Sequence, residues 1–115
     1  FDFNQIKGLS NETKDILNNA RPTTISQVSK LPGTDYVLVC DIEGAELDLF
    51  ENEKKVLSRA HLLILETHPK IYPKKDNDLK RLRASIERLG LIEIEKSECV
   101  ICYASKTAMK DLSLT

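Results

Sequence analysis

The sequence predicts an α/β fold whose sheet is mixed and mostly parallel and ends in an antiparallel hairpin. Three observations lead there. Residues 36–40 (Tyr-Val-Leu-Val-Cys) and 62–65 (Leu-Leu-Ile-Leu) are short continuous apolar runs, as expected of strands buried on both faces of a parallel sheet. Between them Leu47, Phe50 and Leu57 recur at helical spacing, so the stretch reads as a βαβ crossover. Residues 91–95 and 99–105 then form two strand-like runs around the polar turn Lys96-Ser97-Glu98, a hairpin signal.

Taken in order, residues 1–9 have no decisive periodicity; the end of a strand followed by a turn at Gly8 fits them. Ser10 caps a short polar helix through Ile16 and Leu17, which Asn18-Asn19 and Arg21-Pro22 should end. Thr24 caps a further turn or two with Ile25, Val28 and Leu31 on one face, and Pro32-Gly33 stops it. The apolar strand at 36–40 follows and runs into Asp41-Ile42-Glu43-Gly44-Ala45-Glu46. Asp48, Glu51, Asn52, Glu53 and Lys54 line the solvent side of the next helix, which should end near Ala60. The second strand closes in Glu66-Thr67-His68-Pro69. A loop marked by Pro69 and Pro73 contains Lys70, Tyr72, Lys74 and Lys75. The next helix has Leu79, Leu82, Ile86 and Leu89 on one stripe, with Gly90 as its left-handed terminator. Residues 106–115 show no clear periodicity and are expected to be an irregular tail.

The 115 residues make one domain or part of one, and a formal net charge of −1 creates no field favouring nucleic acid or anionic lipid. No apolar run approaches the roughly 20 residues that cross a bilayer, and Phe1-Asp2-Phe3-Asn4 lacks signal-peptide character. The expectation is a soluble cytoplasmic protein without a nucleic-acid or membrane partner. Because the chain opens on phenylalanine, a processed chain or, more so, a fragment is expected. Three cysteines are an odd number, and Cys40 lies in the most apolar strand, so a secreted disulfide framework is not expected. Cys99 and Cys102 have C-x-x-C spacing, but within one strand they would point to opposite faces and could not share a metal.

In open α/β sheets, sites form at the carboxyl ends of strands, and a parallel pair brings Asp41, Glu43, Glu66 and His68 to one such edge. Asp41 ends the first strand and is the first candidate for an acid–base role; its other reading is a helix cap. Glu43 shares a face with Asp41 if the strand persists, and otherwise is solvated or pairs with a lysine. Gly44 provides a positive φ or close backbone approach, and Glu46 complements the positive end of its helix. Glu66 and His68 are either a second acid–base pair or a surface acid and a satisfied surface histidine. His61 has no constellation around it. Lys70, Lys74, Lys75, Lys80, Arg81 and Arg83 either receive an anionic substrate or form a solvated helix face.

Asp41-Ile42-Glu43-Gly44-Ala45-Glu46 resembles the Asp-Val-Glu-Gly-Ala-Glu signature of the FkbM family of S-adenosylmethionine-dependent methyltransferases. Thr24-Ile25-Ser26-Gln27-Val28 is similar to that family's Thr-Leu-Asp segment, and Glu66-Thr67-His68-Pro69 to its acidic strand end followed by histidine. Val39 stands where the family often has lysine, and Ser26 where aspartate is usual. The resemblance implies a Rossmann-like methyltransferase fragment in which residues 1–115 are the carboxyl-terminal half of the fold. Asp41, Glu43, Glu66 and His68 would then be catalytic, and Gly44 and Glu46 would shape the turn. It further implies O-methylation of a small-molecule or sugar hydroxyl, with S-adenosylmethionine as cofactor. Gly8, Gly33, Gly44 and Gly90 are isolated, so the glycine-rich cofactor loop is not in this chain and the fragment is expected to be inactive alone.

Two rivals come from the residues themselves. Asp41, Glu43, Glu66 and His68 could hold Mg²⁺ or Mn²⁺ in a hydrolase or phosphoryl-transfer enzyme. Alternatively, the chain is a non-catalytic half-domain that forms a homo-oligomer through an exposed sheet edge.

Overall fold

The computed structural model describes Asn11, Asp15 and residues 23–30 and 36–111. The Ser10-capped helix, Leu31 and the turn at Pro32-Gly33 lie largely or wholly outside the described residues. The elements are α1 (Ile25–Ser29), β1 (Tyr36–Cys40), α2 (Glu46–Asn52), α3 (Lys54–Leu57), β2 (Ala60–Glu66), α4 (Asp76–Arg88), β3 (Ile92–Ser97), β4 (Val100–Ala104) and α5 (Lys106–Asp111).

The four strands form one mixed sheet in the order β1-β2-β4-β3. β1 and β2 are parallel, with Cys40 opposite Leu65, as the crossover requires. β2 pairs antiparallel with β4, and β4 with β3, so the described sheet has one parallel and two antiparallel pairings. The sheet is therefore not mostly parallel. The hairpin inserts β4 beside β2 because β4, at 100–104, is almost entirely apolar and can be covered on both faces. β3 carries Glu93, Glu95 and Lys96 and takes the edge, where charge guards an open strand.

Side chains alternate across β2. Leu63 and Leu65 face a core with Cys40, Phe50, Leu57, Tyr72, Leu82, Ile86, Ile101 and Tyr103, so α2, α3 and α4 cover that side. Leu62 and Ile64 face the other side, with Cys102 and Ala104 from β4 and Ala108 and the half-buried Met109 from α5. Burying a leucine or isoleucine side chain contributes about 1.5–3 kcal/mol, which makes β2 the strand that fixes the register of the sheet.

Thr24 caps α1 in a reciprocal box: the Gln27 N–H donates to Thr24 Oγ1 and the Thr24 N–H to Gln27 Oε1, both at 3.2 Å. Gly90, at φ +88°, follows the C-cap Leu89 of α4 as expected. Three expectations change. The long helix after the acidic turn is two helices, broken at Glu53 (φ −116°, ψ 37°). There the Asn52 side chain bonds the Asp48 carbonyl at 2.9 Å and its carboxylate at 2.8 Å, the local competition that makes asparagine a poor helix interior. The hairpin turn is Glu98-Cys99, with Glu98 at φ 54°, so Cys99 precedes β4. Residues 106–111 of the supposed tail are helical, because the Ser105 hydroxyl accepts the Ala108 N–H at 3.0 Å and Ala108 packs under the sheet. Among the described residues no helix is long and apolar enough to cross a membrane.

Candidate functional site

β1 ends at Cys40, and the chain reverses through Glu43 (φ 55°) and Gly44 (φ 104°), two successive left-handed residues. The second needs glycine for a further reason, since a Cβ there would sit 3.0 Å from Ile71 Cγ2. The reversal delivers Glu46, first residue of α2, into the core, where it is fully buried. A buried carboxylate is tolerable only if its oxygens are satisfied. Here the Gly44 N–H donates to Oε2 at 2.7 Å, the Tyr72 hydroxyl to Oε1 at 2.9 Å, and His68 Nδ1 lies 2.5 Å from Oε1.

On the neighbouring strand, β2 ends in Glu66. Thr67 is anchored by its N–H (2.7 Å) and Oγ1 (2.9 Å) to the Cys99 carbonyl. His68 follows, and its carbonyl accepts the N–H groups of Ile71 (2.9 Å) and Tyr72 (3.3 Å) in a tight turn. That turn folds Tyr72 back so that its hydroxyl accepts the His68 N–H at 2.9 Å. The imidazole is thus held between two carboxylates: Glu46 on Nδ1, and Asp41, whose Oδ1 is 3.2 Å from Nε2. Glu46 is sealed from water, whereas the Asp41 side chain is 41% exposed, so the Nε2 side opens to solvent.

Burial alone would lower the basicity of His68. The Glu46 hydrogen bond and the negative charges of Glu46, Asp41 and Glu43 outweigh it, and the net shift is upward. Glu66 is also raised, first by the neighbouring Asp41 carboxyl, then by desolvation and the Asp41 charge; His68 opposes this and Glu43 adds to it. Burial and the charges of Glu46 and Asp41 push the Cys40 thiol up to about 12, leaving it an inert core group.

The structure brings Asp41, Glu66 and His68 together; one donor atom from each lies within 4.8 Å of the others, a spacing that would also accommodate one cation. Glu43 is exposed in the turn and contributes charge without direct contact to His68 in the described network. His61 sits near the start of β2, at the opposite end of the strand. Arg81 is engaged by Glu51 (2.8 Å) and Asp78 (3.5 Å), Arg83 by Glu93 (2.5 Å), and Lys75 Nζ by the Lys70 carbonyl (2.6 Å). Those three cations are held by their own surface rather than converging on the site.

The sequence pattern alone puts Glu46 at a helix end and gives Tyr72 no role in the site. Glu46 precedes the buried Phe50 by one helical turn, which sets an acid on the apolar face of α2, and that spacing is a signal of its burial. The role of Tyr72 depends on the turn at 68–72, which no periodicity reveals.

A family model for the tRNA modifying enzyme MnmG/GidA C-terminal helical bundle matches residues 1–36. No solved structure matches the chain. The family match overturns the resemblance to FkbM methyltransferases, and with it the methyltransferase activity, the O-methylation of a hydroxyl and S-adenosylmethionine as cofactor. The acidic motif has a structural account that needs no cofactor: Glu43 and Gly44 are the left-handed turn, and Glu46 is the buried partner of His68. The match lends no support to a Mg²⁺- or Mn²⁺-dependent hydrolase or phosphoryl-transfer enzyme, nor to a half-domain associating through its sheet edge. It covers less than half of the chain and stops before Asp41, so the strand-end cluster stands outside it.

Proposed function

We propose that the strand-end cluster is a proton-transfer centre for a small polar molecule, with His68 as the group that exchanges the proton. The carrying observation is that His68 is gripped on one side only by a buried anion. Glu46 can release neither its position nor its charge without stranding donors in the core, so it keeps the Nδ1 proton. The Nε2 proton faces the exposed Asp41 and is the one that can leave. The raised basicity of His68 suits it to hold and release a proton at Nε2, and the Asp41 and Glu66 carboxyls beside it are the neighbouring acceptors. A hydroxyl or similar group entering from solvent would replace the 3.2 Å contact between Nε2 and Asp41.

A small uncharged or cationic substrate suits the local charge, since Asp41, Glu43 and Glu66 surround the opening and would repel a phosphate backbone. The tRNA link in the name of the matched family belongs to a segment that does not contain this cluster, and it is not extended to it.

Nitrogen-edited NMR of the two histidine rings across a pH titration tests the reading. His68 is expected to keep its Nδ1 proton and lose that of Nε2 as pH rises. Loss of the Nδ1 proton instead would refute it.

A further inference from the structure

Tyr72 makes two contacts that meet at the same histidine. Its hydroxyl accepts the main-chain N–H of His68 at 2.9 Å and donates to Glu46 Oε1 at 2.9 Å, the oxygen that also receives His68 Nδ1 at 2.5 Å. The result is a closed ring of hydrogen bonds: His68 N–H to Tyr72, Tyr72 O–H to Glu46, and Glu46 back to the imidazole. We infer that Tyr72 is the positioning residue of the site, its hydroxyl fixing both the main chain that carries His68 and the carboxylate that selects which ring nitrogen exchanges its proton.

The inference rests on the proton-transfer reading and adds a quantitative element to it. Tyr72 and His68 compete for the negative charge on one oxygen. A carboxylate that accepts a strong bond from a neutral hydroxyl has less to offer an imidazolium, so the tyrosine tempers the basicity of the histidine. A tyrosine that merely filled the core would have no such effect, and its side chain is buried with Phe50, Leu63 and Leu82 in the same cluster, so packing is its alternative role. Burial, the Glu46 hydrogen bond and charge and the Cys40 charge raise the phenol above its usual range, while the His68 N–H works the other way; on balance it remains a neutral donor. The groups facing His68 are Asp41 just after β1, Glu43 in the turn, Glu46 on α2, Glu66 on β2 and Tyr72. Of these, Tyr72 is the uncharged one that touches both the histidine and its buried partner.

The test uses two changes of opposite sign at one position. Tyr72→Phe keeps the ring and removes the hydroxyl, and is expected to raise the His68 pKa by about half a unit and broaden its ring-nitrogen signals. Incorporating 3-fluorotyrosine at position 72 makes a stronger donor in the same place and is expected to lower the His68 pKa, and this variant remains informative if Tyr72→Phe does not fold. Unchanged His68 titration in both, or shifts of the reverse sign, overturns the role of Tyr72 and leaves packing. A wild-type His68 that loses its Nδ1 proton defeats the proton-transfer reading independently of what either variant does.

Discussion

Glu46 and His68 are 22 positions apart, yet the Glu46 Oε1 atom lies 2.5 Å from His68 Nδ1 with the carboxylate completely buried. The contact joins the start of α2 to the segment that follows β2, so it serves stability as well as chemistry. Removing the charge of one partner of a buried pair while keeping its shape leaves donors facing an amide. Glu46→Gln is therefore expected to destabilise the fold by about 2–4 kcal/mol. Urea unfolding monitored by circular dichroism measures the loss, and a change below about 0.5 kcal/mol would mean that the buried pair does not hold α2 to the end of β2.

The same pair gives stability a direction in pH. The folded-state basicity of His68 is raised, so its contribution is fully present below the unfolded imidazole value of about 6.5 and is lost as pH rises through the higher folded value. Glu66 acts in the same sense: its carboxyl is raised in the folded state, so it favours folding at acid pH and ceases to do so once it ionises. Within the range where the fold is intact, the melting temperature should therefore be higher near pH 6 than near pH 8. His68→Asn should flatten that slope. A stability that rises steadily from pH 6 to pH 8 in the wild type would contradict the His68 assignment.

Gly44 and Gly90 both have positive φ, but only Gly44 has a neighbour in the way. The strain of placing alanine in a left-handed conformation costs about 1 kcal/mol at either site. At Gly44 the new Cβ also meets Ile71 Cγ2 at 3.0 Å, and the N–H that serves Glu46 Oε2 would be displaced. Gly44→Ala should consequently lower the melting temperature more than Gly90→Ala. Adding Ile71→Ala should recover part of the difference, because Ile71 is largely exposed and its loss costs little by itself. Equal effects at the two glycines would show that Ile71 yields without cost.

Much of this arrangement is legible in the sequence. Residues 36–40 and 62–65 announce strands because both faces of each are covered, and Gly90 announces a helix end because its conformation is one that other residues avoid. Asp41, Glu66 and His68 come together for the same reason: they follow parallel strands and must share an edge. What is not legible is the depth of each group. Glu46 and Glu43 look alike in the sequence, but a left-handed turn puts one in the core and the other in water. The break at Glu53 also escapes notice, because the bonds from the Asn52 side chain to Asp48 leave the apolar spacing intact. The family resemblance makes the acidic motif a cofactor-linked signature, whereas its glycine and second glutamate are accounted for by the turn and the buried pair.

The cysteines provide a last test, because the hairpin turn separates them by environment. Cys40 and Cys102 are buried, and desolvation with the charges of nearby acids raises their thiols to about 12 and about 11. Cys99 is exposed in the turn that precedes β4. A thiolate is the reactive form, so at pH 8 a disulfide reagent such as dithionitrobenzoate should label one of the three thiols rapidly, and Cys99→Ser should abolish that phase. The other two should react only on unfolding, at a rate set by the opening of the sheet. Cys102 lies on β4 opposite Ile64, so its protection reports on the β2–β4 pairing, while Cys40 reports on the end of β1 beside the proposed site. Should Cys40 react well before Cys102, the carboxyl edge of the parallel pair opens locally while the antiparallel half stays closed; simultaneous reaction would make the sheet a single cooperative unit.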